Sequence, residues 1–254
     1  MLQYKDLGII LKSQDFLETD RILTILTKKG GKIRAIARGI RRPTAKLAGS
    51  LEPFSLSQIC FIEGRKDLDI IVGAEIVKSF KDIRDNLKKT AAVYYMVELI
   101  DKLIGEKEKS SPIFWQLKKT LDKINTVKKP NIELLVDYFI INILSILGYH
   151  PELKICQGCH KQFTPKTKKN YFSFKAGGIQ CWRCANDDFQ AMPISLENLK
   201  ILKIFLDYDI DIVDKILPKN QLELSQIIER YAEFILERKI NSSRFLKHIN
   251  QQKD

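Results

Sequence analysis

Residues 20–40, DRILTILTKKGGKIRAIARGI, decide the fold of the first part of this chain. Apolar and polar residues alternate in DRILTILT and KIRAIARGI, and Lys29-Gly30-Gly31 between them is a turn signal. Similar short runs stand on both sides: GIILKS (8–13), SLSQICFI (55–62) and LDIIVGAEIV (68–77). Five short strands with glycine turns predict a small barrel of the OB-fold type, and a simple antiparallel meander would give a similar pattern.

The pattern changes to helical spacing after Phe80. Residues 87–104 are apolar on most of one face, and Phe114, Leu117, Leu121 and Ile124 recur at intervals of three and four. A long apolar helix follows Pro130-Asn131 and is predicted to end at Gly148, a residue typical of helix C-termini. Further helices are predicted after Pro193, including residues 222–238.

Two cysteine pairs interrupt the helical pattern. Four thiolates at the corners of a tetrahedron are the ligands that Zn²⁺ prefers, and a gap of two residues lets one turn aim both sulfurs inward. A zinc ion with four protein ligands stabilises structure and has no open position for chemistry. His160 is an alternative ligand, although we expect it to be a surface neighbour. The predicted metal ligands are Cys156, Cys159, Cys181 and Cys184.

These patterns predict an α+β protein in four segments. An N-terminal OB-fold β-barrel spans residues 1–80. An all-helical domain occupies residues 81–152 and 191–254, and a four-cysteine zinc module, residues 153–190, is inserted in it. We expect the helices on the two sides of the module to pack together as one body.

Composition and charge favour a polyanionic partner. Of the 254 residues, 44% are hydrophobic and 29% charged, as in soluble globular proteins, and the formal net charge is +12. Nucleic acid is the first candidate and a membrane surface the second. Polar residues interrupt the most apolar stretch, 134–147, which is too short to span a membrane. The fifth cysteine, Cys60, is expected to be buried. One unpaired thiol beside two pairs of the zinc-binding type indicates a reducing cytosol rather than a set of disulfides.

The positive charge is concentrated in the barrel segment. No Asp or Glu occurs between Arg21 and Ser50. A strand followed by the loop ARGIRRPTAKLAGS (37–50) would bring basic side chains to one edge, where they could neutralise phosphates without reading bases. The alternative is a solvated loop without a partner. The aromatic residues available for base stacking are expected to be packed instead: Tyr4, Phe16, Phe54 and Phe61. The basic residues of the predicted edge are Arg38, Arg41, Arg42 and Lys46.

Four pieces of sequence, in this order, resemble the bacterial recombination mediator family RecO. They are IILKSQDFLETDRILTILTKKGGKIRAIARGIRR (9–42), LEPFSL (51–56), LSILGYHPELKICQGC (144–159) and FSFKAGGIQCWRC (172–184). The resemblance covers the barrel, the helix before the cysteines and the cysteine module. It implies an OB-fold, a helical domain and an inserted zinc element.

The resemblance also implies a function. RecO-like proteins are not enzymes; they bind single- and double-stranded DNA and anneal complementary strands. With RecR they load RecA onto DNA coated by single-stranded DNA-binding protein (SSB), and they dock the acidic C-terminal tail of SSB. Such a protein is expected in the bacterial cytoplasm, associated with the nucleoid. Carried onto this chain, the DNA-contacting residues of the family fall among Lys32, Arg34, Arg38, Arg41 and Arg42.

Two other functions compete with this interpretation. An enzyme acting on nucleic acid is disfavoured because Gly30-Gly31-Lys32 does not continue as a phosphate-binding loop. Asp137, Glu152 and Lys154 form only a faint nuclease pattern. A zinc-containing OB-fold protein that binds RNA in translation or transcription remains the main alternative.

Within the RecO interpretation, the acidic tail of SSB could contact basic helical positions near the C-terminus: Arg230, Arg238, Lys239, Arg244 and Lys247.

Overall fold

A closed five-stranded barrel forms the N-terminal part of the chain. The computed structural model describes residues 2–64, 67–127, 131–162 and 170–251. The barrel order is β1-β2-β3-β5-β4, with β1 pairing again to β4, and every pairing is antiparallel except that between β3 and β5. This topology confirms the predicted OB-fold barrel and rules out a meander. The strands are β1 (Gln3–Phe16), β2 (Asp20–Thr27), β3 (Gly31–Ala37), β4 (Leu56–Ile62) and β5 (Leu68–Lys78).

Alternation along the strands builds the barrel core. On β2 and β3 the side chains of Leu23, Ile25, Ile33 and Ala35 point inward and are buried. The long strand β1 serves two neighbours, pairing β4 through residues 3–9 and β2 through residues 8–16, with a bulge between Ile10 and Lys12. A one-residue slip would turn the apolar face outward, so the register is strongly specified.

Helices dominate the rest of the described chain. They are α1 (Lys81–Arg84), α2 (Leu87–Leu103), α3 (Ser111–Thr126), α4 (Ile132–Ile146), α5 (Trp182–Ala185), α6 (Leu196–Asp207), α7 (Gln221–Leu236) and α8 (Asn241–Gln251). A small sheet of order β7-β6-β8 accompanies the cysteines. Its strands are β6 (Asn170–Ser173), β7 (Gly178–Cys181) and β8 (Met192–Ile194).

Side-chain caps fix several helix boundaries. Asn131, Ser195 and Asn220 each accept a hydrogen bond from the backbone N–H three residues further on, at the starts of α4, α6 and α7. After α4, Gly148 has φ of +93°, as predicted for a residue ending that helix. Pro130, predicted to precede this helix, lies outside the described residues.

The chain forms two compact units that differ from the predicted helical body. The first comprises residues 1–127 and 242–254, and the second residues 128–241. Helix α4 packs against α6 and α7, as expected for helices on the two sides of the cysteine module. However, α1 to α3 and most of α8 group with the barrel instead.

Polar and aromatic contacts join α2 and α3 to the barrel. Lys32 on β3 pairs with Asp101 on α2, Lys78 on β5 pairs with Asp122 on α3, and Lys28 Nζ lies 5.0 Å from the centre of the Trp115 ring. Apolar periodicity in the sequence does not reveal these contacts.

Two smaller findings complete the description. Cys60 is only partly buried, contrary to expectation, and its Sγ accepts a hydrogen bond from Gln3 Nε2 at 3.0 Å. Among the described helices, none has the length and apolar character needed to cross a membrane.

Candidate nucleic-acid interface and metal centre

The connection between β3 and β4 is a series of tight turns that carries most of the predicted basic residues. Gly39 has φ of +64° and turns the chain directly after β3. The N–H of Arg42 then donates to the carbonyl of Gly39, and the N–H of Ala45 donates to that of Arg42. We call residues 38–46 the basic loop. Its four cationic side chains are exposed: Arg38, Arg41, Arg42 and Lys46.

The basic loop is joined to the turn between β1 and β2. The N–H of Gly39 donates to Asp20 Oδ1 at 2.8 Å, and the N–H of Arg41 donates to the carbonyl of Thr19 at 2.9 Å. The Gly39 N–H, together with the Thr19 hydroxyl and the charges of the nearby arginines, lowers the pKa of Asp20 below its ordinary value of 3.8. Asp20 therefore stays ionised at neutral pH and anchors the start of the loop.

A second carboxylate balances part of the positive charge. Asp15 Oδ2 lies 3.5 Å from Arg41 Nη2, and Asp15 Oδ1 lies 2.9 Å from Arg21 Nε. All three side chains are more than one-third exposed, so the pairing is weak and can exchange with a phosphate. Asp15 and Asp20 were not predicted as partners of the basic loop, because they precede the acid-free stretch and only the β1–β2 hairpin brings them beside it.

Two predicted DNA contacts lie elsewhere on the barrel. Lys32 is only 7% exposed, and its ammonium group donates to both the side chain and the backbone carbonyl of Asp101. A phosphate cannot reach the Lys32 ammonium group, because helix α2 covers it. Arg34 is exposed on β3, where its guanidinium lies 4.0 Å from the carboxylate of Glu106. Arg34 remains available but lies outside the basic loop.

Three of the four candidate stacking aromatics are packed. Phe54 and Phe61 are fully buried, and Tyr4 stacks on Phe61 with ring centres 5.0 Å apart. Phe16, at the end of β1, is 38% exposed and departs from the expectation.

The four predicted metal ligands form one cluster. Their Sγ atoms all lie within 4.8 Å of one another, with Cys181 and Cys184 at 3.6 Å and Cys159 and Cys181 at 4.0 Å. A disulfide would require about 2.05 Å. Sulfurs about 2.3 Å from a tetrahedral Zn²⁺ would be about 3.75 Å apart. The donor set and its spacing therefore fit a metal ion of this kind.

Backbone N–H groups prepare the cluster for a cation. Burial acts to raise the pKa of the Cys156 thiol, but the N–H groups of Cys159, Cys181 and Gly158 outweigh burial and lower that pKa to about 6. Burial and hydrogen bonding with the other three sulfurs raise the pKa of Cys184 to about 12. A bound metal cation would supply the charge needed to deprotonate the remaining thiols.

Gly158 is required by the close approach of the two cysteine pairs. A Cβ at this position would lie 2.5 Å from Cys184 Cβ and 2.8 Å from Cys184 Sγ. His160 follows the first pair with φ of +57°, and its N–H donates to the carbonyl of Cys156. The four-sulfur cluster is complete without the His160 ring. Residues 163–169 of the predicted module lie outside the described residues.

The other candidate residues lie outside the barrel. Arg230, Arg238 and Lys239 are exposed in the second unit, and Arg244 is exposed in the first. The side chain of Lys247 is outside the described part. Asp137, considered for a nuclease, is 4% exposed and accepts a hydrogen bond from the Ser225 hydroxyl at 2.6 Å, an arrangement typical of a structural carboxylate.

Comparison with known proteins identifies the family. The family model described as Recombination protein O N terminal matches residues 1–80, and Recombination protein O C terminal matches residues 84–244. A DNA repair protein RecO from Dehalococcoides mccartyi is 32% identical over 237 residues, which cover 92% of this chain and 91% of that protein. DNA repair protein RecO from Roseiflexus sp. is 33% identical, covering 98% of this chain and 86% of the relative.

The similarity extends to a more distant relative over nearly the same length. DNA repair protein RecO from Bacillus subtilis is 28% identical over 249 residues, which cover 97% of this chain and 94% of that protein. Both halves of the chain are thus matched, barrel and helical part together, and the barrel topology and cysteine cluster agree with the earlier resemblance. The chain belongs to the RecO family of DNA repair proteins.

Proposed function

We propose that this chain binds single- and double-stranded DNA and anneals complementary strands. We further propose that, with RecR, it helps load RecA onto single strands coated by SSB. The observation that carries the DNA-binding part is the basic loop, whose cations are exposed on turns anchored to the β1–β2 hairpin. The mediator roles rest on membership of the RecO family.

The chemistry of the basic loop suits contact with the phosphate backbone. Arginine offers several N–H donors in a planar fork that matches phosphate oxygens. Such contacts release counterions and carry no sequence information, so they serve single and double strands alike. Two strands that approach each other repel, and a cationic surface reduces that repulsion. The loop can therefore promote annealing without a reaction step, which fits a protein that is not an enzyme.

The anionic partners in this proposal use two different surfaces. DNA would contact the basic loop and Arg34, while the acidic C-terminal tail of SSB would contact exposed cations of the helical part such as Arg230 and Arg238. A structural Zn²⁺ would be held by the cysteine cluster and would stabilise the second unit without touching DNA. The protein would act on chromosomal DNA in the bacterial cytoplasm, at the nucleoid.

The decisive experiment is annealing of SSB-coated complementary strands without ATP, comparing the wild type with a triple variant. The triple variant replaces Arg38, Arg41 and Arg42 by Ala. Losing three phosphate contacts should reduce the slope of log affinity against log salt by about 2 for single strands and about 2.7 for duplex. The rate of strand annealing should also fall, while the thermal unfolding temperature stays close to that of the wild type.

A control variant removes the same charge from exposed positions of the second unit: Lys200, Lys215 and Lys219, each replaced by Ala. It should anneal strands that carry no SSB like the wild type. Equal losses in both triple variants would mean that net charge alone matters, and unchanged affinity in the arginine variant would refute the role of the basic loop. Competition between single-stranded DNA and RNA of the same sequence tests the RNA-binding alternative.

A further inference from the structure

The turn between β1 and β2 exposes two large apolar side chains. Leu17 is 73% exposed and Phe16 is 38% exposed. Leu17 has φ of +53°, a left-handed conformation that is uncommon for a leucine. We call Phe16 and Leu17 the apolar tip. A short turn between strands is normally polar, so two exposed apolar residues at this position require an explanation.

The apolar tip is joined directly to the basic loop. Arg41 makes three contacts with this hairpin: its N–H donates to the carbonyl of Thr19, its Nη1 lies 3.5 Å from the carbonyl of Leu17, and its Nη2 lies 3.5 Å from Asp15. Asp20 adds the hydrogen bond from Gly39. A phosphate held by Arg41 would therefore lie beside the turn that carries the tip.

Unpaired bases are the ligands that such a surface fits. The faces of bases are flat and apolar, and aromatic side chains bind them by stacking with little regard to sequence. In a duplex those faces are covered by neighbouring base pairs, so the tip can reach them only in a single strand or at a frayed end. The cations beside the tip supply the phosphate contacts that keep the strand in place.

We propose that the apolar tip contacts unpaired bases and gives the basic loop its preference for single strands over duplex. The tip is thus a base-contacting site, whereas the basic loop contacts phosphates. This inference rests on the proposed DNA-binding function and adds a strand preference to it. Leu17 is in a left-handed turn, and the hydrogen bonds from Arg41 to Thr19 and from Gly39 to Asp20 join this turn to the basic loop.

The test compares three oligonucleotides of equal length: oligo-dT, the same backbone without bases, and a duplex. The variant combines Phe16→Ala with Leu17→Gly, because glycine accepts the positive φ and keeps the turn. The wild type should bind oligo-dT about tenfold more tightly than the abasic strand, equivalent to about 1.4 kcal/mol. The variant should lose that ratio and retain the wild-type affinity for abasic strand and duplex, with the same salt dependence.

A control variant, Val72→Ala with Val77→Ala, removes two exposed apolar side chains from β5 and should behave as the wild type. Phe16→Tyr should keep the preference for bases. If the tip variant retains the ratio, or if it weakens binding to all three ligands equally, the inference is overturned. If instead the wild type binds none of the three, the proposed DNA-binding function has failed before the tip is tested.

Discussion

Lys32 Nζ lies 3.1 Å from Asp101 Oδ1 and also donates to the Asp101 backbone carbonyl. The lysine is on β3 and the aspartate on α2, so this pair holds the first long helix against the barrel. Lys32 is buried, whereas the Asp101 side chain is 37% exposed, which leaves water on one side of the pair only. A cation that family resemblance assigns to DNA contact is therefore buried in an ion pair in this chain.

Replacing Lys32 by Met should lower the free energy of unfolding by about 1–3 kcal/mol, because Asp101 loses its partner while the aliphatic stem is kept. DNA affinity and its salt dependence should not change. Chemical denaturation and a salt titration measure the two quantities. Lys29→Met, an exposed neighbour, is the matched control and should leave stability unchanged. If the variant binds DNA less tightly but is as stable as the wild type, Lys32 contacts DNA.

Replacing Asp15 by Asn should strengthen DNA binding. The carboxylate pairs with Arg21 and Arg41, and its removal frees both guanidinium groups for phosphate. We expect a gain of a few-fold in affinity and a steeper salt dependence, by up to about one unit of slope. Glu75→Gln makes the same charge change at an exposed position of β5 and should have a smaller effect. Equal gains in both variants would indicate a general charge effect rather than release of the basic loop.

Gly158→Ala should disrupt the cysteine cluster. The new methyl group would lie 2.5 Å from Cys184 Cβ, so one cysteine pair must move. Zinc affinity, measured by competition with a chromogenic chelator, should fall about tenfold or more. Gly49→Ala has open space around the added Cβ and should bind zinc like the wild type. Retention of full affinity in Gly158→Ala would contradict the proposed tetrahedral arrangement.

Cys181→Ser should lower the zinc content measured by atomic emission and destabilise the second unit. The first unit contains none of the four ligands, so its barrel should stay folded. Hydrogen exchange of β1 to β3 follows the barrel in the same sample. An unchanged zinc content would refute the assignment of Cys181 as a ligand.

The stability of the second unit should decline at alkaline pH. Burial, and to a smaller extent Tyr149, raise the pKa of Tyr231 from its ordinary 10.0 to about 12, and its hydroxyl donates to the Tyr149 carbonyl. Because the folded pKa is the higher one, this contribution is complete below pH 10 and is lost between about pH 10 and 12. Urea denaturation across this range should follow that course. Tyr231→Phe should be less stable at pH 8 by about 0.5–1.5 kcal/mol and should decline less steeply. Tyr208→Phe, an exposed control, should keep the wild-type profile.

The sequence was sufficient for the features that depend on spacing. Short apolar or alternating runs bounded by turn signals predicted all five barrel strands, and Cys156 and Cys181 with their partners three residues on predicted a single metal cluster. In each case the signal is local, because a strand or a turn is specified by residues next to one another.

The features that depend on distant contacts could not be predicted. Lys32 and Arg34 are equally basic in the sequence, yet helix α2 covers only Lys32. The pairing of Asp15 with Arg41 could not be predicted, because 25 intervening residues separate them in the sequence. Only the folded hairpin brings them together. The exposed position of Phe16 likewise depends on where β1 ends, and boundaries of elements are not set by composition alone.

Glu98→Ala should loosen the last helix. The carboxylate accepts hydrogen bonds from the backbone N–H and the hydroxyl of Ser242, at the start of α8. Amide exchange within α8 should accelerate, and limited proteolysis should remove residues beyond 242 more readily. Lys102→Ala breaks the ion pair with Glu98 but leaves the contact with Ser242, so it should have a smaller effect. Unchanged exchange in Glu98→Ala would show that α8 is held by other contacts.

The return of residues 242–251 to the first unit has a consequence for biosynthesis. A ribosome releases the barrel and α1 to α3 first, then the whole of the second unit, and only afterwards the helix that completes the first unit. The surface of the nascent first unit that α8 contacts therefore stays exposed to solvent until about 114 further residues have been translated. This takes several seconds at bacterial elongation rates. Stalled or truncated translation products would carry a cysteine module that can fold beside a barrel that remains unfinished.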